Sequence, residues 1–126
     1  MKVNPIVTSK APSAVGPYSQ GTKTDNLIFT SGQLPIIPET GDLIKDDIKK
    51  ATKQSLDNVL AIIEEGGATL NDIVKVNIFV KNMDNFSLVN EVYEEFFGNH
   101  KPARSCVEVS KLPKNGDIEI EAIAIV

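Results

Sequence analysis

The 126-residue chain has no tryptophan, one cysteine (Cys106) and one histidine (His100). One cysteine cannot close a disulfide within the chain, and one cysteine with one histidine is too few ligands for an ordinary structural zinc site. No apolar run is long enough to span a bilayer, and residues 1–13 lack the apolar segment of a signal peptide. We therefore expect a cytoplasmic protein with no metal site and no membrane partner.

An excess of positive charge is also missing. The 13 Lys and Arg residues are outnumbered by 17 Asp and Glu residues, which gives a net charge of -4. The lysines are scattered among acidic residues, whereas nucleic-acid binding needs a basic patch or stripe, so nucleic acid is not an expected partner. The composition, with 41% hydrophobic and 24% charged residues, is that of a globular protein, and the length predicts a single domain over residues 1–126.

Two amphipathic helices are predicted. Apolar or small residues recur every three or four positions from residue 46 or 47 to residue 65, and again from residue 85 to residue 97. Acidic side chains at the start of the first helix suit the positive end of its dipole. Gly66 and Gly67 follow the first helix and Gly98 follows the second, and glycine ends helices readily because it adopts positive φ.

Alternating patterns predict strands around these helices. They cover residues 2–8 (a short edge strand), 21–25 and 27–33 (a hairpin), 72–81, 102–109 and 118–126. The strand at 72–81 is expected to place four apolar side chains on one face: Val74, Val76, Ile78 and Val80. This set of elements predicts an α+β fold in which both helices cover one face of a mixed sheet. The last strand carries large apolar groups on both faces, so we expect another subunit on the uncovered side.

The strand at residues 102–109 is the strongest candidate for a functional element. Its alternation places Arg104, Cys106 and Glu108 on one face. Arginine presents a planar fork that matches a carboxylate, so a strand at the edge of a cleft would hold this fork against a small acid. The alternative is an ordinary strand with a solvent-facing Arg and Glu and a buried Cys.

Further candidates come from loops and strand ends. Tyr18 follows a Gly-Pro turn, where its phenol is either presented to a pocket or packed on the core with its hydroxyl in water. Ser31 and Gly32 end a strand and can offer a hydroxyl and an unobstructed backbone N–H to an anion, although such a pair is often only a strand terminus. His100 lies beyond a helix end, and we assign it no catalytic role.

Several motifs together resemble one known family. The most specific is the run from Pro102 to Cys106 (PARSC), followed thirteen residues after the cysteine by Glu119. Supporting matches are GPYSQG at 16–21, TSGQ at 30–33, QSLDNV at 54–59, and the Val-Asn pair at 89–90 before Tyr93. The chain resembles, from about residue 11 onwards, the reactive intermediate deaminases, also called the RidA or YjgF/YER057c/UK114 family.

The resemblance implies a fold, an assembly and a reaction. The fold is a chorismate-mutase-like (ferredoxin-like) α+β subunit, and the assembly is a homotrimer with its sites between subunits. The reaction is the hydrolysis of reactive 2-imino acids, such as 2-iminobutanoate and 2-iminopropanoate, to 2-oxo acids and ammonia. The implied enzyme is thus a hydrolase of C=N bonds that uses no cofactor.

The resemblance also implies roles for individual residues. Arg104 would hold the substrate carboxylate, and Glu119 would orient or deprotonate the attacking water. The remaining residues that would line the cleft are Tyr18, Ser31, Gly32, Asn90 and Cys106. A protonated imine is already a strong electrophile, which agrees with the absence of a cofactor from this scheme. Cys106 is interpreted as a wall of the cleft, with a nucleophilic thiolate as the alternative.

Two other function classes stay open. One is a small-ligand module that binds 2-oxo or amino acids, with a regulatory role and no turnover. The other is a ribonuclease or translation inhibitor, which the older names of some relatives imply and which the acidic pI of about 5.0 disfavours.

Overall fold

The computed structural model describes residues 2–126, which form one six-stranded sheet and two α-helices. The strands are β1 (Asn4–Ile6), β2 (Gly21–Lys23), β3 (Leu27–Thr30), β4 (Ile73–Val80), β5 (Ala103–Glu108) and β6 (Ile118–Ile125). The helices are α1 (Ile48–Glu65) and α2 (Phe86–Phe97), and short 3-10 turns lie at Leu70–Asp72, Met83–Asn85 and Pro113–Asn115. These elements confirm the predicted α+β class.

The strand order in the sheet is β1-β2-β3-β6-β4-β5. All neighbours are antiparallel except β4 and β5, which run parallel. A parallel pair needs a crossover, and α2 supplies it. The mixed sheet predicted from the sequence is therefore confirmed, and β5 lies at its edge with β6 in the interior.

Both helices have the ends that their sequences predict. The Asp47 side chain accepts a hydrogen bond of 3.1 Å from the Lys50 N–H, which caps the first turn of α1. Gly67 after α1 has φ +97°, and Gly98 after α2 has φ +61°. The side chains that α1 buries form one stripe: Ala51, Thr52, Ser55, Leu56, Asn58, Val59, Ile62 and Ile63.

The helices cover one face of the sheet, and the core lies between them. Its largest sheet side chains are Ile28, Ile73, Val76, Ile78, Val80, Ile118 and Ile120, each at most 1% exposed. The prediction that Val74 belongs to this buried face is wrong, because the pairing of β4 with β6 shifts register between Ile73 and Lys75. Such a bulge adds one residue to the strand, so Ile73 is buried and Val74 is 40% exposed.

The opposite face of the sheet has no helix on it. Glu119, Glu121 and Ile123 of β6 are half-buried there, between the buried residues of the same strand. The apolar side chains on this face include Phe29, which is 38% exposed, and Ile125, which is 50% exposed. We call this surface the open face. None of the helices within residues 2–126 is both long and apolar enough to cross a membrane.

Candidate active site

Arg104 lies on edge strand β5 and points towards helix α2. Its register partner on β4 is Val76, which is buried beneath the helices, and paired residues of neighbouring strands share a face. The Nη1 group of Arg104 donates a hydrogen bond of 2.6 Å to the Asn90 side-chain oxygen. The guanidinium carbon lies 4.8 Å from the ring centroid of Tyr93 and 5.5 Å from that of Phe86.

Helix α2 contributes three residues to this contact from one stripe. Phe86, Asn90 and Tyr93 are spaced by four and three positions, which places them on one face of a helix. Phe86 and Asn90 both contact Arg104 from this face. A cavity of about 500 Å³ adjoins the cluster and is lined by Asn90, Tyr93, Glu94, Phe97, Gly98, His100, Lys101, Pro102 and Arg104. We call Arg104, Asn90 and Cys106 the arginine half-site.

Cys106 follows Arg104 by two residues and shares its side of the sheet, as the alternation predicts. Burial raises the pKa of the Cys106 thiol, and the charge of Arg104 opposes this rise only in part. A raised pKa lowers the fraction of thiolate at neutral pH. This favours Cys106 as a wall of the site over Cys106 as a nucleophile.

Glu119 lies on interior strand β6 and belongs to the open face. Its register partner on β4 is Phe79, between the buried residues Ile78 and Val80. Burial raises the pKa of the Glu119 carboxyl, and the charge of Glu121 raises this pKa further. A carboxyl with a raised pKa is suited to proton transfer near neutral pH.

Gly32 makes room for the Glu119 carboxyl. A Cβ atom at position 32 would lie 2.7 Å from Cδ and 2.8 Å from Oε2 of Glu119, closer than non-bonded atoms approach. The predicted pair of Ser31 and Gly32 is therefore adjacent to the predicted base. Ser31 donates its hydroxyl to the Ser19 carbonyl at 2.6 Å and its N–H to the Gln20 carbonyl at 2.8 Å. Both Ser31 donors are thus engaged within the chain.

A second cavity, of about 470 Å³, collects the other predicted residues. Tyr18, Ser31, Gly32 and Glu119 all line it. Tyr18 lies in the predicted turn, is 51% exposed, and accepts a hydrogen bond of 3.3 Å from the Val15 N–H through its hydroxyl. We call these four residues the glutamate half-site.

The two half-sites do not meet within one chain. Arg104 faces the helices and Glu119 faces away from them, and β4 separates their strands. Each predicted site residue therefore belongs to one of the two half-sites. Arg104 and Glu119 of the same chain cannot contact one substrate, because they lie on opposite sides of the sheet.

Sequence reasoning missed several residues around these half-sites. Gln20 is buried beside the second cavity, where its side chain accepts from the Thr8 N–H at 2.7 Å and donates to the Pro12 carbonyl at 2.8 Å. The sequence signal that could have identified Gln20 is its position in the GPYSQG motif, two residues after Tyr18. Lys114 lines the same cavity from the 3-10 turn and has φ +56°. The Pro-Lys-Asn-Gly sequence at 113–116 is typical of a turn, but it gives no information about the direction of the Lys114 side chain.

Residues 2–126 contain no cluster of three or more His, Cys, Asp or Glu side chains that could hold a metal ion. The two half-sites contain a guanidinium, a carboxyl with a raised pKa, and hydroxyl and amide groups. Such groups bind a small organic acid and move a proton.

The fold is a small α+β domain with an arginine on the edge strand of its sheet and a glutamate with a raised pKa on an interior strand. The family model described as "Endoribonuclease L-PSP" matches residues 8–126, and the chain belongs to this family. The chain is 52% identical over 123 residues to the 2-iminobutanoate/2-iminopropanoate deaminase of Escherichia coli (strain K12), covering 95% of each protein. The resemblance to the reactive intermediate deaminases is confirmed.

Solved structures show the same fold throughout. A putative endoribonuclease from Thermotoga maritima matches with a TM-score of 0.96 and 52% identity, covering 100% of this chain and 98% of that one. TdcF of Escherichia coli with bound serine matches with a TM-score of 0.94 and 43% identity, covering 98% of both chains. The predicted subunit fold, a mixed sheet with two helices on one face, is confirmed.

Proposed function

We propose that this protein is a 2-iminobutanoate/2-iminopropanoate deaminase, which hydrolyses reactive imines of small 2-amino acids to 2-oxo acids and ammonia. The observation that carries the proposal is the Arg104 guanidinium, held by Asn90 beside an open cavity on a chain that is 52% identical to the Escherichia coli deaminase. We assign the activity to cytoplasmic amino-acid metabolism, because pyridoxal-phosphate dehydratases release such imines.

The residues of the two half-sites account for the reaction. Arg104 binds the substrate carboxylate with its planar fork, which fixes the imine carbon in place. Glu119 accepts a proton from water as the water oxygen bonds to that carbon. Glu119 returns this proton to the nitrogen of the tetrahedral intermediate, the C–N bond breaks, and ammonia leaves. The hydroxyl passes its proton back to Glu119 as the carbonyl forms, and ammonia or water then takes that proton. One imine and one water thus give one 2-oxo acid and one ammonia.

The assembly that we propose is a homotrimer with each site between two subunits. Arg104 and Glu119 of one chain lie on opposite sides of the sheet, so a site that uses both takes them from different copies. Apolar side chains on the open face, such as Ile125 at 50% exposure, support burial of this face against another copy. Tyr18, Ser31 and Gly32 then line the site beside Glu119, and Asn90 and Cys106 line it beside Arg104.

The first test is an imine-hydrolysis assay. A dehydratase acting on threonine generates 2-iminobutanoate, and 2-oxobutanoate formation is followed above the spontaneous rate. We expect the wild-type protein to accelerate this step and Arg104→Ala or Glu119→Gln to lower kcat/KM by about a hundredfold or more. Equal rates for wild type and Arg104→Ala, with both proteins folded by circular dichroism, would falsify the proposal.

A mixing experiment tests whether the site is shared. Arg104→Ala and Glu119→Gln subunits are unfolded together, refolded in equal amounts and assayed. A site between neighbours pairs an intact Arg104 with an intact Glu119 in about one quarter of the clefts, so about a quarter of wild-type activity returns. Each variant refolded alone is the control. A site within one chain predicts no recovery on mixing.

One observation favours a second candidate, a binding module without turnover. The TdcF structure, which is similar to this chain, contains bound serine. Saturable binding of serine or 2-oxobutanoate to this protein, with no acceleration of imine hydrolysis, would identify a module of this kind. Ribonuclease activity is disfavoured by the net charge of -4, and an assay of RNA cleavage at low salt tests it.

A further inference from the structure

The ring of Tyr93 packs against Arg104, but the Tyr93 hydroxyl forms no hydrogen bond within residues 2–126. The residue is 8% exposed. Burial raises the pKa of Tyr93 to about 12, with the charge of Arg104 opposing this rise, so the side chain is neutral at physiological pH. What Tyr93 presents to Arg104 is therefore the face of its ring, 4.8 Å from the guanidinium carbon.

The ring of Tyr93 is itself held in place. Phe97, one turn further along α2, packs on it with a centroid distance of 4.6 Å and an interplanar angle of 45°. Phe97 also packs near His100, at 6.1 Å between centroids, and the Nε2 atom of His100 is 2.7 Å from the Ile73 carbonyl oxygen. This row of side chains runs from Arg104 into β4 and fixes the plane against which the guanidinium lies.

We propose that Tyr93 is the positioning residue for Arg104, holding the guanidinium plane so that its free edge meets the substrate carboxylate. The inference rests on the proposed role of Arg104 as the carboxylate anchor. An arginine side chain has many rotamers, and binding a carboxylate requires that one of them be selected. The ring restrains the guanidinium from one face, Asn90 takes one of its five N–H donors, and the remaining donors are left for the ligand.

The test uses binding of 2-oxobutanoate, the stable product, measured by isothermal titration. Removal of the ring in Tyr93→Leu is expected to raise Kd about three- to tenfold, the range that a partly desolvated cation–π contact supports. Tyr93→Phe keeps the ring and is expected to bind within about twofold of wild type. In the imine assay Tyr93→Leu is expected to raise KM and leave kcat within about twofold, because the contact acts in ground state and transition state alike.

Two controls separate positioning from a general loss of structure. Phe96→Leu removes a ring from the same helix, in edge contact with Phe97 at 5.2 Å, and is expected to leave Kd unchanged. The second control is a double-mutant cycle. Lysine has no planar face to stack, so Tyr93→Leu in an Arg104→Lys background is expected to cost no further affinity. If Tyr93→Leu does not fold, Tyr93→Met replaces it in every arm.

The outcomes distinguish this inference from the function on which it rests. Unchanged Kd in Tyr93→Leu, or an equal loss in the Arg104→Lys background, overturns the role of Tyr93 while leaving Arg104 as the anchor. Wild-type affinity in Arg104→Ala overturns the anchor itself, and with it both proposals. A three- to tenfold rise in Kd that Tyr93→Phe reverses and that disappears in the Arg104→Lys background supports the inference.

Discussion

Glu119 and Glu121 are two carboxylates on one face of β6 with different surroundings. Glu121 accepts a hydrogen bond of 3.1 Å from the Asn77 side-chain amide. Glu119 lies beside Gly32, and burial and the charge of Glu121 both raise its pKa. Burial and, to a smaller extent, the neighbouring carboxylate therefore move the pH range in which the proposed base would act upwards.

We expect Glu121→Gln to shift the pH dependence of imine hydrolysis. Glu119 must be ionised to accept a proton, so kcat/KM of the wild type falls as pH decreases through its raised pKa. Loss of the Glu121 charge lowers the pKa of Glu119, which moves this acidic limb to lower pH. Lys114 also lines this cavity, and because the wild type and the Glu121→Gln variant both contain it, it does not contribute to the difference between them. The measurement is kcat/KM against pH, corrected for spontaneous hydrolysis.

The matched control is Glu108→Gln, which neutralises a carboxylate on the other side of the sheet. The Glu108 carboxylate accepts a hydrogen bond from the Met83 N–H. Its acidic limb is expected to coincide with that of the wild type. A limb that stays in place in Glu121→Gln would show that the group titrating in the assay is not Glu119.

Among the elements, α1 shapes the glutamate half-site without contributing a residue to it. Asn58 of α1 is fully buried and donates to the carbonyls of Leu34 at 3.2 Å and Ile36 at 2.9 Å. Gln54 completes the set by donating to the Asn58 side-chain oxygen at 2.9 Å. Since Leu34 and Ile36 line the cavity of Glu119, the helix holds one wall of that cavity.

Asn58→Leu is expected to lower the free energy of unfolding by about 2–3 kcal/mol, because two carbonyls lose their donor. Urea denaturation at a fixed protein concentration measures this, since stability depends on concentration in an oligomer. Asp57→Ala is the control: it removes an exposed pair with Lys53, 2.9 Å apart, and is expected to cost less than about 0.5 kcal/mol. Equal losses in the two variants would contradict the anchoring role of Asn58.

The sequence predicts the helices and strands better than it predicts the register between paired strands. Both ends of α1 follow from Asp47 and the two glycines after residue 65, because caps and glycines act locally. The bulge at Val74 follows from pairing with β6, a contact between distant parts of the chain, and local alternation does not reveal it.

For the same reason, the sequence does not show that Arg104 and Glu119 lie on opposite faces of the sheet. Alternation places Arg104 with Cys106, and Glu119 with Glu121, but it does not say which face of either strand meets the helices. The register with Val76 and Phe79 settles this, and register is a property of the assembled sheet. Helical periodicity allows either Val92 or Tyr93 on the buried stripe of α2, and the structure buries Tyr93. Periodicity gives no sign that the Tyr93 ring contacts Arg104.

For the molecule as a whole, the open face is the side of the sheet opposite the two helices. Phe29, Val107 and Ile125 are 38%, 46% and 50% exposed on it, around the carboxylates of β6. Exposed apolar groups of this kind mark interaction surfaces and support the proposed burial of this face against another copy.

We expect Phe29→Glu to dissociate the assembly and abolish activity, although Arg104 and Glu119 are both retained. A charge in the middle of an apolar contact is costly unless it is paired. Analytical ultracentrifugation measures the change in mass, and the imine assay measures the activity of the same samples.

Leu88→Glu is the matched control, since Leu88 is also 38% exposed but lies on α2, away from the open face. It is expected to keep the wild-type mass and rate. If Phe29→Glu sediments as the wild type does, or is active as a monomer, the open face is not the surface that joins the copies.

Because Arg104 and Glu119 lie on opposite faces of the sheet, the proposed activity also depends on the concentration of the protein. A catalyst that borrows its base from a neighbour has a rate per subunit that falls on dilution, as the assembly dissociates by mass action. In the assembly proposed above, an abundance below the dissociation threshold therefore silences the protein, with no inhibitor and no chemical modification.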